Sequence, residues 1–308
     1  MATLTPQQTR AARRTWGDRA RNWLLPAVAL ERVAVLRVLV YLFVPLDVLL
    51  LHTIGDTRSA ANAELYSPLL IGRLLHLPVP NETLVLVCKW GSALLALAAL
   101  SGRAPRVLGV GVLLLWAEYQ VVAFSYGKVD HDRFAFLVAL AVLPTVGRAR
   151  LRGCGSSEAA GWALRSVQLA VVATYFYAAW AKVRFGGWEW VNSATLARAV
   201  DRRGTVLSEW MLDVPWTLHV GQWVIVAFEL LAPVVLFVNE RWRLRIVAFF
   251  LAFHLATYAG TTIFFWPHTL CLAAFLPLER LAPRLAVAAE RARERLGLPG
   301  TRSPARTS

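Results

Sequence analysis

The sequence has few charged residues and few cysteines for its length. Only 17% of its 308 residues are charged, whereas 57% are hydrophobic, which excludes an ordinary water-soluble domain of this size. The three cysteines, Cys88, Cys154 and Cys271, show no paired spacing, so no disulfide framework and no CxxC site is predicted. The sequence also lacks an HExxH motif and a glycine-rich phosphate loop. We therefore expect neither a metal site nor nucleotide chemistry.

Acidic residues are scarce, because 33 Lys and Arg stand against 19 Asp and Glu and give a formal charge of +14. This excess does not indicate nucleic-acid binding. Most arginines lie in short segments between apolar runs and in the two terminal tails, as expected from the positive-inside rule for membrane proteins. We therefore predict no nucleic-acid partner and an integral membrane protein.

Apolar runs long enough to cross the hydrocarbon core of a bilayer recur along the chain. They predict an all-α protein, a polytopic bundle of about eight transmembrane helices. The predicted spans are 29–52, 83–101, 107–126, 131–146, 162–184, 218–238, 244–266 and 268–285.

Every second connection is rich in arginine, and so are both tails. This alternation places both termini in the cytoplasm, and we expect the protein in the cytoplasmic (inner) membrane of a bacterium. Three regions follow: a basic interfacial segment at 1–28, the transmembrane domain at 29–285, and a basic, partly disordered cytoplasmic tail at 286–308.

Several segments outside the spans are predicted to lie along the membrane surface. Trp16 and Trp23 lie among arginines and predict an amphipathic interfacial helix, and 278–296 has a similar pattern that Pro283 breaks near its start. The long outer connections, 53–82 and 185–217, contain too few polar residues for free linkers. We expect both to pack over the outer face.

Ionisable residues inside a membrane are costly, so each needs a partner or a function. Asp47, Lys89, Glu118, the residues from His131 to Arg133, and Lys182 all map to the outer half of the bilayer, which indicates a polar site that opens outward.

A purely structural role is the alternative for each of these residues. Arg37 could pair with Glu229 or with a freed carbonyl, and Asp47 and Lys89 could extend to the interface. His254 could be a core histidine, and we expect His268 at the interface because it lies at an outer turn.

Lys182 is the most informative ionisable residue. It follows a run rich in aromatic residues at 175–181 and has no acidic neighbour one helical turn away. A lysine among aromatic side chains loses solvation, which disfavours its charged form. Such an amine can accept a proton near neutral pH, and the fixed charge of Arg184 would add to this effect or hold an anion.

Several motifs resemble one family in their order and spacing. Residues 175–183 read YFYAAWAKV and precede Trp188, residues 131–134 read HDRF, and residues 228–233 read FELLAP. An RWR motif and then a Phe–His pair that contains His254 follow. Together they resemble the vitamin K-dependent γ-carboxylases and their bacterial relatives, the horizontally transferred transmembrane (HTTM) domain proteins.

The resemblance implies a role for each matching residue. Lys182 corresponds to the base that deprotonates reduced vitamin K, His131 to a site partner and His254 to a second, supporting imidazole. In the family, the oxygenated quinone then removes a γ-proton from a peptide glutamate, and carbon dioxide adds to the carbanion. We assign contacts with a vitamin K or menaquinol cofactor to Glu118, Tyr175, Arg184 and Glu229.

The sequence departs from the family pattern at three positions. Ala181 replaces a second lysine of the animal enzymes, Asp130 replaces an asparagine and Ala179 replaces a glycine. The sequence also has no counterpart of the large lumenal domain that recruits the glutamate-rich substrate in the animal enzymes. Peptide carboxylation is therefore one possible activity among others.

Two classes of function remain open. One is a quinol-dependent oxidoreductase or carboxylase-like enzyme that uses Lys182 as its base. The other is a non-catalytic subunit that binds a quinone or membrane lipid, or a maturation or immunity partner for an exported peptide. A transporter is disfavoured because no paired, Gly- or Pro-broken spans mark inverted repeats. No feature of the sequence indicates an oligomeric state.

Overall fold

The computed structural model describes residues 16–59, 61, 63–153 and 155–295. Cys154, the first fifteen residues and the predicted disordered end of the tail therefore lie outside the described residues. The fold is all-α, as predicted, with a single two-stranded sheet among these residues. The α-helices are α1 Trp16–Leu24, α2 Leu30–Leu46, α3 Ile54–Ser59, α4 Leu70–Leu74, α5 Glu82–Ala99, α6 Pro105–Phe124, α7 Phe134–Val142, α8 Glu158–Gly186, α9 Thr195–Arg203, α10 Trp216–Leu231, α11 Glu240–Thr261, α12 Trp266–Cys271 and α13 Ala282–Arg295.

Shorter helical turns continue or connect these helices. A π-helical turn extends α2, and the others are 3-10 turns. They are Asp47–Leu51 (π), Ala63–Leu65, His131–Arg133, Leu143–Val146, Trp188–Asn192, Glu209–Leu212, Ala232–Leu236, Leu272–Phe275 and Leu278–Arg280.

Within the described residues, five helical segments are long and apolar enough to cross a membrane. They are Leu30–Leu51, Glu82–Ala99, Pro105–Phe124, Trp216–Leu236 and Glu240–Thr261. Helix α8 is longer, at 29 residues, but contains four charged side chains. The chain is therefore a polytopic helical membrane protein by composition, while the count of eight spans stays a prediction.

The eighth predicted span, 268–285, is not one continuous helix. Helix α12 continues into a 3-10 turn that ends at Phe275, and α13 begins only at Ala282. Pro277 lies in the break, where its missing amide hydrogen cannot continue a helix. Helix α13 itself matches the predicted amphipathic segment, since it begins next to Pro283 as expected.

Local sequence explains several helix boundaries. The side chains of Asn81, Ser157 and Asn239 accept hydrogen bonds from the backbone amides at the starts of α5, α8 and α11. Gly187 ends α8 with φ +65°, a left-handed conformation that glycine adopts without strain.

Helices α2 and α8 form the centre of the bundle. Leu36 and Val40 of α2 are fully buried, as are Ala163 and Val167 of α8. Helix α5 pairs with α6 and packs on α2, while α7 and α10 pack on α8. The strands β1 Val28–Ala29 and β2 Ser156–Ser157 pair antiparallel and join the starts of α2 and α8.

The arginine-rich segments meet at one end of the bundle. Arg21 pairs with Glu158 at the start of α8, and Arg280 pairs with Glu240 at the start of α11. Arg152 pairs with Glu290 of α13 at 3.1 Å. Basic segments that are distant in sequence thus share one end, and the C-terminal end of α8, with Lys182, lies at the other.

Candidate functional site

A cavity of about 600 Å³ lies toward the C-terminal end of α8. Helices α8, α10, α11 and α12 form its walls, and α9 with the following loop covers it. Apolar residues such as Ile225, Phe253 and Phe265 line most of the surface. The ionisable side chains in the lining are His131, Asp132, Tyr175, Lys182, Glu229, His254 and His268.

Lys182 forms a salt bridge with Glu229 of α10. Its Nζ donates to both carboxylate oxygens at 2.7 Å, and the side chains are only 21% and 9% exposed. The same Nζ lies 5.4 Å from the ring centroid of Trp190. As the sequence indicated, Lys182 has no acidic neighbour one turn away on α8, and its partner is 47 residues away in the chain.

A cluster of aromatic rings forms one wall of the cavity. The Tyr175 hydroxyl and Nε2 of His254 share a hydrogen bond of 2.8 Å. His268 contacts Tyr175 edge to face, with ring centroids 4.5 Å apart, and lies 5.6 Å from the ring of His254. Nδ1 of His254 and both ring nitrogens of His268 are buried and have no hydrogen-bond partner among the residues that the structure describes.

His131 enters the same cavity from the turn that precedes α7. Its ring lies 5.8 Å from that of Phe265. Lys182, His131 and His254, the three predicted catalytic residues, thus line one cavity, together with Tyr175 and Glu229.

A buried ion pair holds the turn that carries His131. Nη1 of Arg133 donates to both oxygens of Asp47, at 2.8 and 2.7 Å, and Nε1 of Trp116 donates to the same carboxylate at 3.0 Å. Asp47 is completely buried, so the prediction that it extends to the interface was wrong. It lies on the π-helical turn after Pro45, a distortion that directs its side chain into the bundle.

Two predicted binding residues lie away from the cavity. Glu118 of α6 is not among the lining residues, and one of its carboxylate oxygens is buried without a hydrogen-bond partner. Arg184 is exposed at the end of α8 beside Phe185. Lys182 and Arg184 are two residues apart, so they point to different faces of the helix, and Arg184 faces outward.

The buried Arg37 confirms one of the alternatives left open above. Its guanidinium donates to the carbonyl oxygens of Gly147 and Leu143, at 2.6 and 2.5 Å, rather than to Glu229. Leu143 begins the 3-10 turn after α7 and Gly147 follows its last residue, so the guanidinium caps carbonyls at the end of this helical segment.

Two residues of the site were not predicted from the sequence. His268 was expected at the interface but is only 2% exposed, because α12 folds inward against α7 and α8. Trp190 also lines the cavity, together with Asp132 of the predicted polar group. The sequence around these residues shows only a predicted turn and several aromatic residues. Neither feature indicates the direction in which a side chain points.

No metal geometry accompanies this histidine-rich site. Among the residues that the structure describes, no group of three or more His, Cys, Asp or Glu side chains is arranged to hold a metal ion.

The fold and the cavity define a polytopic helical membrane protein with a polar site enclosed by apolar helices. Residues 145–279 match the family model of the HTTM domain, which confirms the family recognised in the sequence. The matched part contains Lys182, Glu229, His254 and His268. His131 and Asp132 precede it. No curated protein and no solved structure matches the chain.

Proposed function

We propose that the cavity binds a reduced quinone of the menaquinol or vitamin K type and that the Lys182–Glu229 pair accepts a proton from it. The observation that carries this proposal is a salt bridge facing a mostly apolar cavity that also contains unpartnered imidazole nitrogens. Ionisable groups in such surroundings are typical of functional sites.

The residues present fit a quinol. A volume of about 600 Å³ is within the range of small-molecule sites. The aromatic and aliphatic lining suits a flat ring, while His254 and His268 can hydrogen-bond to its oxygens. Burial without a partner costs each of these polar groups about 1–3 kcal/mol, so a ligand that satisfies them gains affinity.

A bound quinol would supply acidic hydroxyl groups and two electrons. Nζ of Lys182 donates to both oxygens of the Glu229 carboxylate at 2.7 Å, and the carboxylate oxygens keep further lone pairs that can accept a proton. We therefore assign proton acceptance to the pair. Glu229 takes the proton at its carboxylate, and Lys182 keeps its positive charge next to the oxygen that has lost it.

His254 and His131 support this step. If the Tyr175 hydroxyl donates to Nε2 of His254, a neutral His254 carries its proton on Nδ1 and can donate to the ligand. The position of His131 in the cavity wall is fixed by the ion pair of Arg133 two residues later. These residues orient the ligand while the apolar wall excludes water.

The test compares the purified wild-type chain with a double variant, Lys182→Met/Glu229→Gln. Both changes remove charge together, so no buried charge is left unpaired and the fold should persist. Each protein is incubated in air-saturated buffer with a naphthohydroquinone that lacks an aliphatic chain. Dissolved oxygen takes up the two electrons, and the oxidation above the protein-free rate is followed by chromatography. We expect a loss of at least about 100-fold, the usual scale of general-base catalysis.

The control is Arg280→Met/Glu240→Gln, which removes an exposed salt bridge of the same length. It should leave the rate unchanged. Equal rates for all three proteins would contradict the proposed role of the pair. Binding of the quinol by the wild-type chain without faster oxidation would instead support the non-catalytic alternative, a quinone- or lipid-binding subunit.

We also propose that the chain crosses the cytoplasmic membrane eight times and that both termini lie in the cytoplasm. The meeting of the basic segments at one end of the bundle supports this orientation. Lys182 lies 24 residues after the start of α8, about 36 Å along the helix at 1.5 Å per residue, and so toward the outer side.

A further inference from the structure

Helices α10 and α11 follow each other in the chain and meet near their inner ends, where Phe228 of α10 packs on Phe253 of α11 with ring centroids 4.3 Å apart. The 3-10 turn Ala232–Leu236 also contacts α11 there. At their outer ends, α9 lies between the two helices and contacts both. The two helices therefore leave a cleft between Phe228 and α9.

The cavity extends into this cleft. Val224 and Ile225 of α10 and Ala256 and Thr257 of α11 line it. Val224 is nevertheless 49% exposed, and Ala256 is also exposed. A residue that both lines the cavity and lies on the surface of a membrane-spanning helix marks a place where the cavity reaches the lipid.

The outer side of the cavity is closed more firmly. The side-chain amide of Gln222 donates to the carbonyl oxygens of Trp190 and Val191 and accepts from the backbone amide of Leu196. The hydroxyl of Thr205 donates to the carbonyl oxygen of Ala259 at 2.6 Å. These bonds tie the covering segment to α10 and to α11, so the remaining opening is lateral.

We infer that the cleft between α10 and α11 admits the ligand from the membrane and holds its aliphatic chain. This inference rests on the proposed function. An independent sign of an occupant is the set of buried, unpartnered nitrogens of His254 and His268, which lie deeper in the same cavity. A molecule with a polar ring at the histidines and an apolar chain in the cleft satisfies both regions.

The occupant is therefore a membrane-dissolved quinol with a long aliphatic chain. The aliphatic chain of the quinol, lying between Val224 and Ala256, would exchange its contacts with lipid for contacts with the protein. These contacts would slow the departure of the quinol ring from the cavity. A quinol without a chain would bind to the ring site alone.

The experiment uses two valines of α10 that lie one turn apart. Val224 lines the cavity and is 49% exposed, whereas Val220 is 50% exposed and does not line it. The full chain is placed in lipid nanodiscs as wild type, Val224→Trp and Val220→Trp. Equilibrium binding of menaquinol and of a naphthohydroquinone without a chain is measured by chromatography of the bound fraction.

We expect Val224→Trp to lower the affinity for menaquinol at least tenfold and to leave the affinity for the chainless quinol unchanged. Val220→Trp should change neither. Equal effects of Val224→Trp on both quinols, or no effect on either, would overturn the lateral opening. A wild-type chain that binds neither quinol would instead overturn the proposed function on which it rests.

A second variant with its own control keeps the test informative if the Val224→Trp protein does not fold. Ala256→Trp places the same bulk on the other side of the cleft, and Leu255→Trp is its control, since Leu255 is 62% exposed and does not line the cavity. The same pattern of affinities is expected. Equal behaviour of Ala256→Trp and Leu255→Trp would count against the cleft.

Discussion

The buried ion pair of Asp47 and Arg133 predicts how much stability the protein loses when one partner is replaced. In the variant Asp47→Asn the side chain keeps its shape but loses its charge. Asp47 is completely buried and the Arg133 side chain is only 9% exposed, so the remaining guanidinium has no solvent to replace its partner. Breaking a buried ion pair from one side costs about 3–5 kcal/mol, and we expect a loss of stability in that range.

The assay is unfolding of the purified protein in mixed detergent, followed by circular dichroism as the share of denaturing detergent rises. The double variant Asp47→Asn/Arg133→Met should recover most of the loss, because neither charge remains buried. Glu290→Gln is the matched control: it breaks a pair with Arg152 that is about half exposed, which is worth at most about 1 kcal/mol.

A loss of stability for Asp47→Asn no greater than that for Glu290→Gln would refute this role of the ion pair. The same variant should also affect the site. Since Arg133 fixes the turn that carries His131, the single variant should weaken quinol binding even at temperatures where the protein remains folded.

Three further predictions concern packing and the cavity. Gly161→Ala should prevent stable folding, seen as loss of the monodisperse peak in size-exclusion chromatography, because a Cβ there would lie 1.6 Å from the carbonyl oxygen of Pro26. Gly260→Ala, where the nearest atom is 3.5 Å away, should be tolerated. His268→Leu should leave the melting temperature unchanged or raise it, since no hydrogen bond is lost, yet weaken quinol binding about tenfold in equilibrium dialysis. Gln222→Leu should speed amide hydrogen exchange across α9 measured by mass spectrometry, because the three hydrogen bonds of Gln222 are lost; unchanged exchange would show that packing alone holds this helix.

Much of the site could be anticipated from composition and from the family motifs. An ionisable side chain in an apolar run is expensive wherever it lies, so Lys182, Glu229 and His254 could be singled out without knowledge of the fold. Their matching motifs then indicated that they belong to one site. The structure places them with Tyr175 and His131 around one cavity.

The partners of these residues could not be anticipated. Lys182 meets a carboxylate on another helix, and Asp47 meets an arginine 86 residues later in the chain. Helical periodicity relates neighbours three and four residues apart and contains no information about which helices are adjacent. For this reason neither the pairing of Lys182 with Glu229 nor the burial of Asp47 could be predicted.

The sequence by itself determined that this chain is helical, apolar enough for a membrane, and similar to the HTTM family over residues 145–279, because hydropathy, arginine distribution and motif order are properties of the linear chain. Only the tertiary structure decided that His268 points inward and that α10 and α11 separate into a cleft. Both depend on how helices pack, which is set by side chains from several distant segments at once.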